Sequence, residues 1–216
     1  MKAPHSRTSI GQFSAWFDWE TTGVDYDGGL DGTARKYQGI SVGIVIADNR
    51  TFEEVDALYL EIKFDKNKYQ WTEGAEKIHG LSREHLEKNG VPRDEALASI
   101  IEFLSKYFGE NIVCLTPHKP DQKVCIGGHN VSFDIKMIGQ IFEDFGFNLG
   151  IHHVILDTTA AAFLAVGLYK SNDVFTYFGA EKREQHNALE DARQSLAVAR
   201  GIHELVQVAV SVVEAA

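Results

Sequence analysis

The stretch FSAWFDWE, residues 13–20, combines aromatic side chains with two carboxylates. Side chains of a β-strand alternate between its two faces, so a strand here places Trp16, Asp18 and Glu20 on one face. The other face is apolar and consists of Phe13, Ala15, Phe17 and Trp19. Carboxylates are costly to bury without a partner. The pair therefore indicates either a solvated strand end or two oxygen ligands for one hard cation such as Mg²⁺ or Mn²⁺.

The segments that follow alternate between strand-like and helix-like patterns. The apolar run 40–47 and the stretch 52–62 are joined by a short polar link and predict an antiparallel hairpin. Further strands are expected over 124–128 and 153–156, and helices over 73–79, 82–89, 93–108, 132–145, 158–166 and 187–212, with 167–185 irregular. This order predicts one α/β domain over 1–216, with a core of about 13–200. Its mixed sheet of about five strands carries helices on both faces.

The composition, with 44% hydrophobic and 24% charged residues, is that of an ordinary globular protein. The formal net charge of −10 argues against an indiscriminate duplex-binding protein, which carries a basic face. It does not argue against a nuclease, because metal ions bound by the acids reverse the local field. No apolar stretch approaches about 20 residues and the start lacks a signal-peptide pattern, so no membrane association is expected. Cys114 and Cys125 are expected to be reduced, in a cytoplasmic protein.

A second polar constellation is GGHNVSFD, residues 127–134. A strand ends in the two glycines, and a helix begins three or four residues later. Asn130 or Ser132 can cap this helix, and Asp134 falls in its first turn. Taken alone, Asp134 is better explained as an acid that the helix dipole favours.

The third constellation is HNALEDA, residues 186–192. Asn187 and Glu190 have the spacing of a capping box. Asp191 can be explained as an acid that the helix dipole favours, and His186 can be explained as a solvated loop residue. Together, however, these residues join the acids of the first strand at one strand end and two helix starts. Sheets of α/β proteins assemble ligand sites at such places.

FDWETTG, GHNVSFD and HNALEDA resemble the three exonuclease motifs of the DnaQ-like 3′→5′ exonucleases, in the DEDDh subgroup of the ribonuclease H-like fold. The resemblance covers roughly residues 13–200. It includes two lesser matches, IHGL at 78–81 and LDT at 156–158. It implies a three-layer fold of the ribonuclease H-like type.

The resemblance also implies a role for each matching residue. Asp18 bridges two metal ions, Mg²⁺ or Mn²⁺, and Glu20 and Asp191 complete the site of the ion that holds the attacking water. Asp134 binds the second ion, and His186 is the general base. Contacts to the terminal nucleotide or support for the metal site are implied for Thr21, Thr22, Gly23, Val24, Asn130 and Phe133.

The implied activity is removal of nucleoside 5′-monophosphates from the 3′ end of single-stranded nucleic acid, with DNA favoured over RNA. An RNA-trimming exoribonuclease or oligoribonuclease is one alternative, and a nuclease-like binding or proofreading subunit of a polymerase is another. The segments 25–39 and 115–123 are longer than the family's usual turns, and both are expected near the substrate. Four cations are candidate phosphate contacts or plain surface charges: Lys36, Lys170, Lys182 and Arg183.

Partners other than the nucleic-acid 3′ end are a second copy of the chain or a polymerase or replication protein. The Val- and Ala-rich stretch 202–216 suits either packing on the protein's own core, which is favoured, or a homodimer surface.

Overall fold

The structure is a computed structural model, and it describes residues 10–24, 36–180 and 185–215. Its strands, in chain order, are β1 (Phe13–Thr21), β2 (Gly39–Asp48), β3 (Glu54–Glu61), β4 (Val113–Leu115), β5 (Ile126–Gly128), β6 (Phe147–Leu149) and β7 (Leu156–Asp157). The main sheet has the order β3-β2-β1-β5-β7. The first three strands form an antiparallel meander, and β5 and β7 join parallel to β1. The predicted mixed five-stranded sheet is thus confirmed, with β1 at its centre.

Helices cover both faces of this sheet. They are α1 (Glu73–His79), α2 (Arg83–Asn89), α3 (Arg93–Phe108), α4 (Ser132–Asp144), α5 (Thr158–Val166), α6 (Ser171–Tyr177) and α7 (Ala188–Ala215). On one face Phe17 packs with the apolar sides of α3 and α4, which include Ile100 and Phe142. On the other face Trp16 packs with Val45 and with residues of α7. The alternation in β1 therefore separates two cores, as the sequence predicts.

Three parts of the fold differ from the sequence-based expectation. The strand expected over 153–156 is β7, which spans only Leu156–Asp157. The segment 167–185, expected to be irregular, contains α6, which buries only Val174 and Phe175. A second sheet of two three-residue strands, β4 and β6, lies apart from the main one. The sequences of β4, β6 and α6 show no clear hydrophobic period, and tertiary contacts decide their conformation.

The segment 115–123 lies at the end of the sheet opposite Glu20. Together with the start of β1 it lines a cleft that includes Phe13, Gln122 and His152. The segment leads into β5, which runs parallel to β1, so it lies opposite the strand ends where Glu20 is found. The segment therefore lies away from the candidate site residues at the end of β1. Of the other long segment, residues 25–35 lie outside the described residues.

Candidate active site

Three of the predicted site residues converge at the end of β1 and the start of α7. The ligand atoms of Glu20, His186 and Asp191 all lie within 4.8 Å of one another. Glu20 and Asp191 are buried, with 7% and 2% of their surfaces exposed, while the His186 side chain remains 37% exposed. His186 Nδ1 lies 3.2 Å from Asp191 Oδ2. The site therefore joins two buried carboxylates to an imidazole that solvent or substrate can reach.

A close backbone contact sets the position of α7. Gly43 of β2 stands opposite Asp18 of β1. A Cβ atom on Gly43 would lie 2.3 Å from the carbonyl oxygen of Ala188 and 2.4 Å from Cα of Leu189. Ala188 and Ala192, which follow along the same helix, are fully buried. Small residues thus let the first turns of α7 rest directly on the sheet, and this brings Asp191 to the carboxylates of β1.

The residues before α7 are held by the end of α1. The backbone N–H of His186 donates a hydrogen bond to the carbonyl of Ile78, at 3.0 Å. Two residues after Ile78, Gly80 ends α1 in the left-handed conformation (φ 72°), and a Cβ there would lie 2.9 Å from the Gln185 side chain. The IHGL segment, which the sequence offers only as a family match, therefore positions His186 through its backbone.

The predicted capping box of α7 is half present. Asn187 Oδ1 accepts hydrogen bonds from the backbone N–H groups of Leu189 and Glu190, at 3.1 and 3.2 Å, and so caps the helix. The Glu190 side chain instead pairs with Arg193, at 2.7 Å. Glu190 is exposed, so this acid points away from the buried pair although it precedes Asp191 directly.

Asp134 lies beside this group in the first turn of α4. It is 3% exposed, and its Oδ1 accepts a hydrogen bond from the backbone N–H of Trp19, at 3.0 Å. Burial raises the pKa of Asp134 well above its ordinary value, and the nearby carboxylates of Glu20 and Asp157 raise it further, while the Trp19 donor opposes them. A divalent cation at this place would relieve the same repulsion.

The turn that carries Asp134 is fixed by Asp157. The Asp157 carboxylate caps α5 by accepting from Thr159 N–H at 2.7 Å, and it also accepts from Val131 N–H at 3.2 Å. Asn130 adopts a left-handed conformation (φ 57°), which asparagine tolerates better than most residues. Its N–H donates to Thr159 Oγ1 at 2.8 Å. The sequence gives no direct sign of this role, because the partners of Asp157 are backbone groups.

The expected capping of α4 by Asn130 or Ser132 is wrong. Val131 occupies the cap position, and no side-chain hydrogen bond caps the helix there. The backbone carbonyl of Asn130 accepts from Phe133 N–H at 3.1 Å, and the Phe133 side chain is half-buried. These residues thus form the turn that precedes and supports Asp134.

The segment after Glu20 is mostly engaged within the fold. Thr22 is fully buried, and its hydroxyl accepts from Gln38 N–H at 3.0 Å. The Thr21 hydroxyl donates to the carbonyl of Gly23 at 2.8 Å. Val24, with 53% of its surface exposed, is the side chain of this segment that is open to a ligand.

The remaining predicted residues are placed as follows. Asp18 is half-buried on the same face of β1 as Glu20. Among the described residues, the group within 4.8 Å contains neither Asp18 nor Asp134. Lys36 and Lys170 are exposed, whereas Lys182 and Arg183 lie outside the described residues.

A cleft of about 690 Å³ opens beside Asp191, between α6 and α7. Apolar residues of α6 and its end, Phe175 and Phe178, line one side of it, and Arg193 and Arg200 line the other. Arg193 is paired with Glu54. The cleft therefore lies next to the acidic group, and both apolar and cationic side chains line it.

The donor set fits divalent metal ions. Buried carboxylates are expensive unless they are paired or bind a cation, and three such acids, Glu20, Asp134 and Asp191, lie buried in this region. Hard oxygen donors suit Mg²⁺ and Mn²⁺.

No protein-family model matches the chain, and no curated protein matches it in sequence. Solved structures of exonucleases do match its fold. The complex of E. coli exonuclease I with a dT13 oligonucleotide aligns with a TM-score of 0.64 at 16% identity, over 88% of this chain and 41% of that one. A zinc-bound complex of E. coli exonuclease I with single-stranded DNA gives 0.62 at 17% identity, over 88% and 40%.

A 3′-exonuclease that recognises the 3′ end of the histone mRNA stem-loop also matches, with a TM-score of 0.60 at 12% identity, over 88% of this chain and 63% of that one. The chain therefore spans less than two thirds of the length of each of these three neighbours. At such identities the likeness establishes the fold alone. It is an α/β fold of the ribonuclease H-like type, with a mixed five-stranded sheet and helices on both faces.

Proposed function

We propose that the protein is a metal-dependent 3′→5′ exonuclease that hydrolyses the terminal phosphodiester bond of single-stranded nucleic acid, with DNA favoured over RNA. The observation that carries the proposal is the convergence of Glu20, His186 and Asp191 within 4.8 Å. Asp18 lies on the same strand face and Asp134 lies beside the group. The fold that carries these residues is similar to that of solved exonuclease structures.

In this proposal Asp18, Glu20, Asp134 and Asp191 hold two Mg²⁺ or Mn²⁺ ions. Such ions supply a water of lowered pKa and stabilise the charge that develops on the departing oxygen. His186 accepts the proton of the attacking water. The Asp191 carboxylate lies beside Nδ1 of His186 and favours the neutral imidazole tautomer that is protonated on Nδ1. The lone pair on Nε2 is then the base.

The water oxygen forms the new bond to phosphorus, and the bond to the 3′-oxygen of the preceding nucleotide breaks. The product is a nucleoside 5′-monophosphate. In this proposal Val24 contacts the last base, because it is the exposed side chain of the segment that follows Glu20. The cleft beside Asp191 offers room for the adjacent nucleotide.

The test uses end-labelled DNA and RNA strands of one sequence, with Mg²⁺, with Mn²⁺ and with chelator. We expect stepwise shortening from the 3′ end, no cutting of a circular single strand, and loss of activity in chelator. A faster rate on RNA would assign the site to an RNA-trimming enzyme. If the protein binds the strands but hydrolyses them with neither Mg²⁺ nor Mn²⁺, the nuclease proposal is refuted and a binding subunit is favoured.

A matched pair of variants separates the site from its surroundings. Asp191→Asn removes one charge from the buried group, whereas Glu190→Gln removes one charge from the adjacent exposed residue. We expect hydrolysis to fall by at least about 10²-fold in the first variant, as is typical when a catalytic group is lost, and to change little in the second. Equal activity of the two variants would remove Asp191 from the site.

A further inference from the structure

The second half of α7 extends beyond the body of the protein. Ile202 still packs against the cluster of α5 and α6, and the ring of His203 lies 5.4 Å from that of Phe52. Every residue from Glu204 to Glu214 is exposed. The expectation that the stretch 202–216 packs on the protein's own core is therefore wrong for residues 204–214.

Polar and apolar residues of this half lie on separate sides of the helix. Glu204, Gln207, Ser211 and Glu214 recur every three or four residues and form a polar stripe. The apolar residues cover the remaining arc of about 200°, at 3.6 residues per turn, with Ala209 near its middle. The large exposed members are Leu205 (47%), Val206 (52%), Val208 (62%), Val210 (45%), Val212 (63%) and Val213 (70%).

These six side chains leave roughly 500 Å² of mostly apolar surface bare, which is near the upper end for a monomeric protein and typical of an interaction site. We call this surface, residues 205–213 without the polar stripe, the distal face of α7. It lies about 20–33 Å along the helix from Asp191, at 1.5 Å per residue. A partner on the distal face therefore leaves the candidate active site open.

A membrane does not fit this face. By length and composition α7 is the one helix among the described residues that could cross a bilayer. Its first half, however, packs on the sheet. The exposed residues 204–214 extend only about 16 Å, against the roughly 30 Å of a hydrocarbon core. The stripe that would face lipid headgroups contains Glu204 and Glu214 and no lysine or arginine, whereas helices that lie on anionic membranes have basic polar faces.

We propose that the distal face binds the same face of a second copy of this chain, with the two helices antiparallel and crossing at Ala209. This crossing brings the smallest side chain of the face to the point of closest approach. It sets Leu205 of each copy near Val213 of the other, and Val206 near Val212. A two-fold contact requires such a self-complementary surface.

The area is at the lower limit for a dimer. Two distal faces together expose on the order of 1,000 Å², which is the lower limit for a specific interface. The acidic stripe of each helix points away from the contact, so burial of the face leaves no charge unpaired. The pairing is independent of the proposed nuclease activity.

Light scattering on the full chain tests the proposal. We expect a particle of twice the 24.1 kDa chain mass at micromolar concentration. The double variant Leu205→Glu, Val212→Glu should be monomeric. The control Gln207→Glu, Ser211→Glu adds the same two charges on the polar stripe and should remain dimeric. All substituted residues are exposed, so both variants should keep the secondary structure of the wild type by circular dichroism, and the monomeric variant loses only the stabilisation that dimer formation adds.

Crosslinking tests the geometry. In a Cys114→Ser background, Ala209→Cys should give a disulfide-linked dimer on mild oxidation, and Ser211→Cys should not. A monomeric wild type at 100 μM, or equal crosslinking of the two cysteines, would overturn the proposal. If the wild type is monomeric and floats with phosphatidylcholine or phosphatidylserine vesicles, the partner of the distal face is a lipid surface and the dimer proposal is refuted.

Discussion

Replacing Gly43 with alanine inserts a methyl group between β2 and the first turn of α7. The new carbon would lie 2.3 Å from the carbonyl oxygen of Ala188 and 2.4 Å from Cα of Leu189. Both neighbours are backbone atoms, so no side-chain rotation relieves the contact, and the helix must move outward by about 1 Å to reach ordinary separations of roughly 3.5 Å. Such overpacking costs about 1–3 kcal/mol of stability.

The same movement carries Asp191 and His186 away from Glu20. A displacement of about 1 Å at a catalytic group costs on the order of 10²-fold in rate. We therefore expect Gly43→Ala to lower the single-turnover rate of 3′-end hydrolysis about 10²-fold, with only a modest loss of stability by urea unfolding.

The matched control is Gly74→Ala. A Cβ on Gly74, within α1, meets nothing within 4 Å, and alanine is favoured over glycine in a helix by about 0.5–1 kcal/mol. This control should be as active as the wild type and slightly more stable. Wild-type activity in Gly43→Ala would refute the conclusion that the contact between β2 and α7 sets the site.

Three further predictions concern individual side chains. Burial raises the pKa of Asp134 well above its ordinary value. Above about pH 4 the folded metal-free protein therefore keeps a proton that the unfolded chain releases, and the free energy of unfolding falls as the pH rises. Asp134→Asn should flatten this decline in urea titrations with chelator, and an unchanged slope would contradict the assignment. Asp157→Ala should cost about 1 kcal/mol as a lost helix cap and also reduce activity, measured by thermal melts and rates; full activity would separate Asp157 from the support of Asp134. His186→Ala should slow single-turnover hydrolysis by about 10²–10⁴-fold without changing metal-induced stabilisation, and an equal rate would exclude it as the base.

The features that the sequence predicts well are those with a local period. Alternation in residues 13–20 correctly separates Phe17 from Trp16, and helical spacing correctly identifies α3, α4 and α7. Asp18 and Glu20 also stand out as carboxylates on an otherwise apolar strand, whereas Asp134, Asp191 and His186 are predicted mainly by the family resemblance.

The arrangement of the site depends on contacts that no local pattern encodes. Asp191 reaches Glu20 only because α7 rests on Gly43. An isolated glycine in a strand is a known sign of close backbone approach, so the role of Gly43 could be predicted from the sequence. The roles of Ile78 and Asp157 could not be predicted, because each acts through hydrogen bonds to backbone groups of distant segments.

The docking of α7 on the sheet has a consequence for how long the native state lasts. The first strand and the last helix supply the buried carboxylates, and contacts between such distant parts of a chain are slow to form. Early steps of folding therefore proceed without bringing these charges together. Repulsion that exists only in the native state acts on the unfolding rate and leaves the folding rate nearly unchanged. A divalent ion bound there would accordingly slow unfolding, so the folded protein would last longer, without making it fold faster.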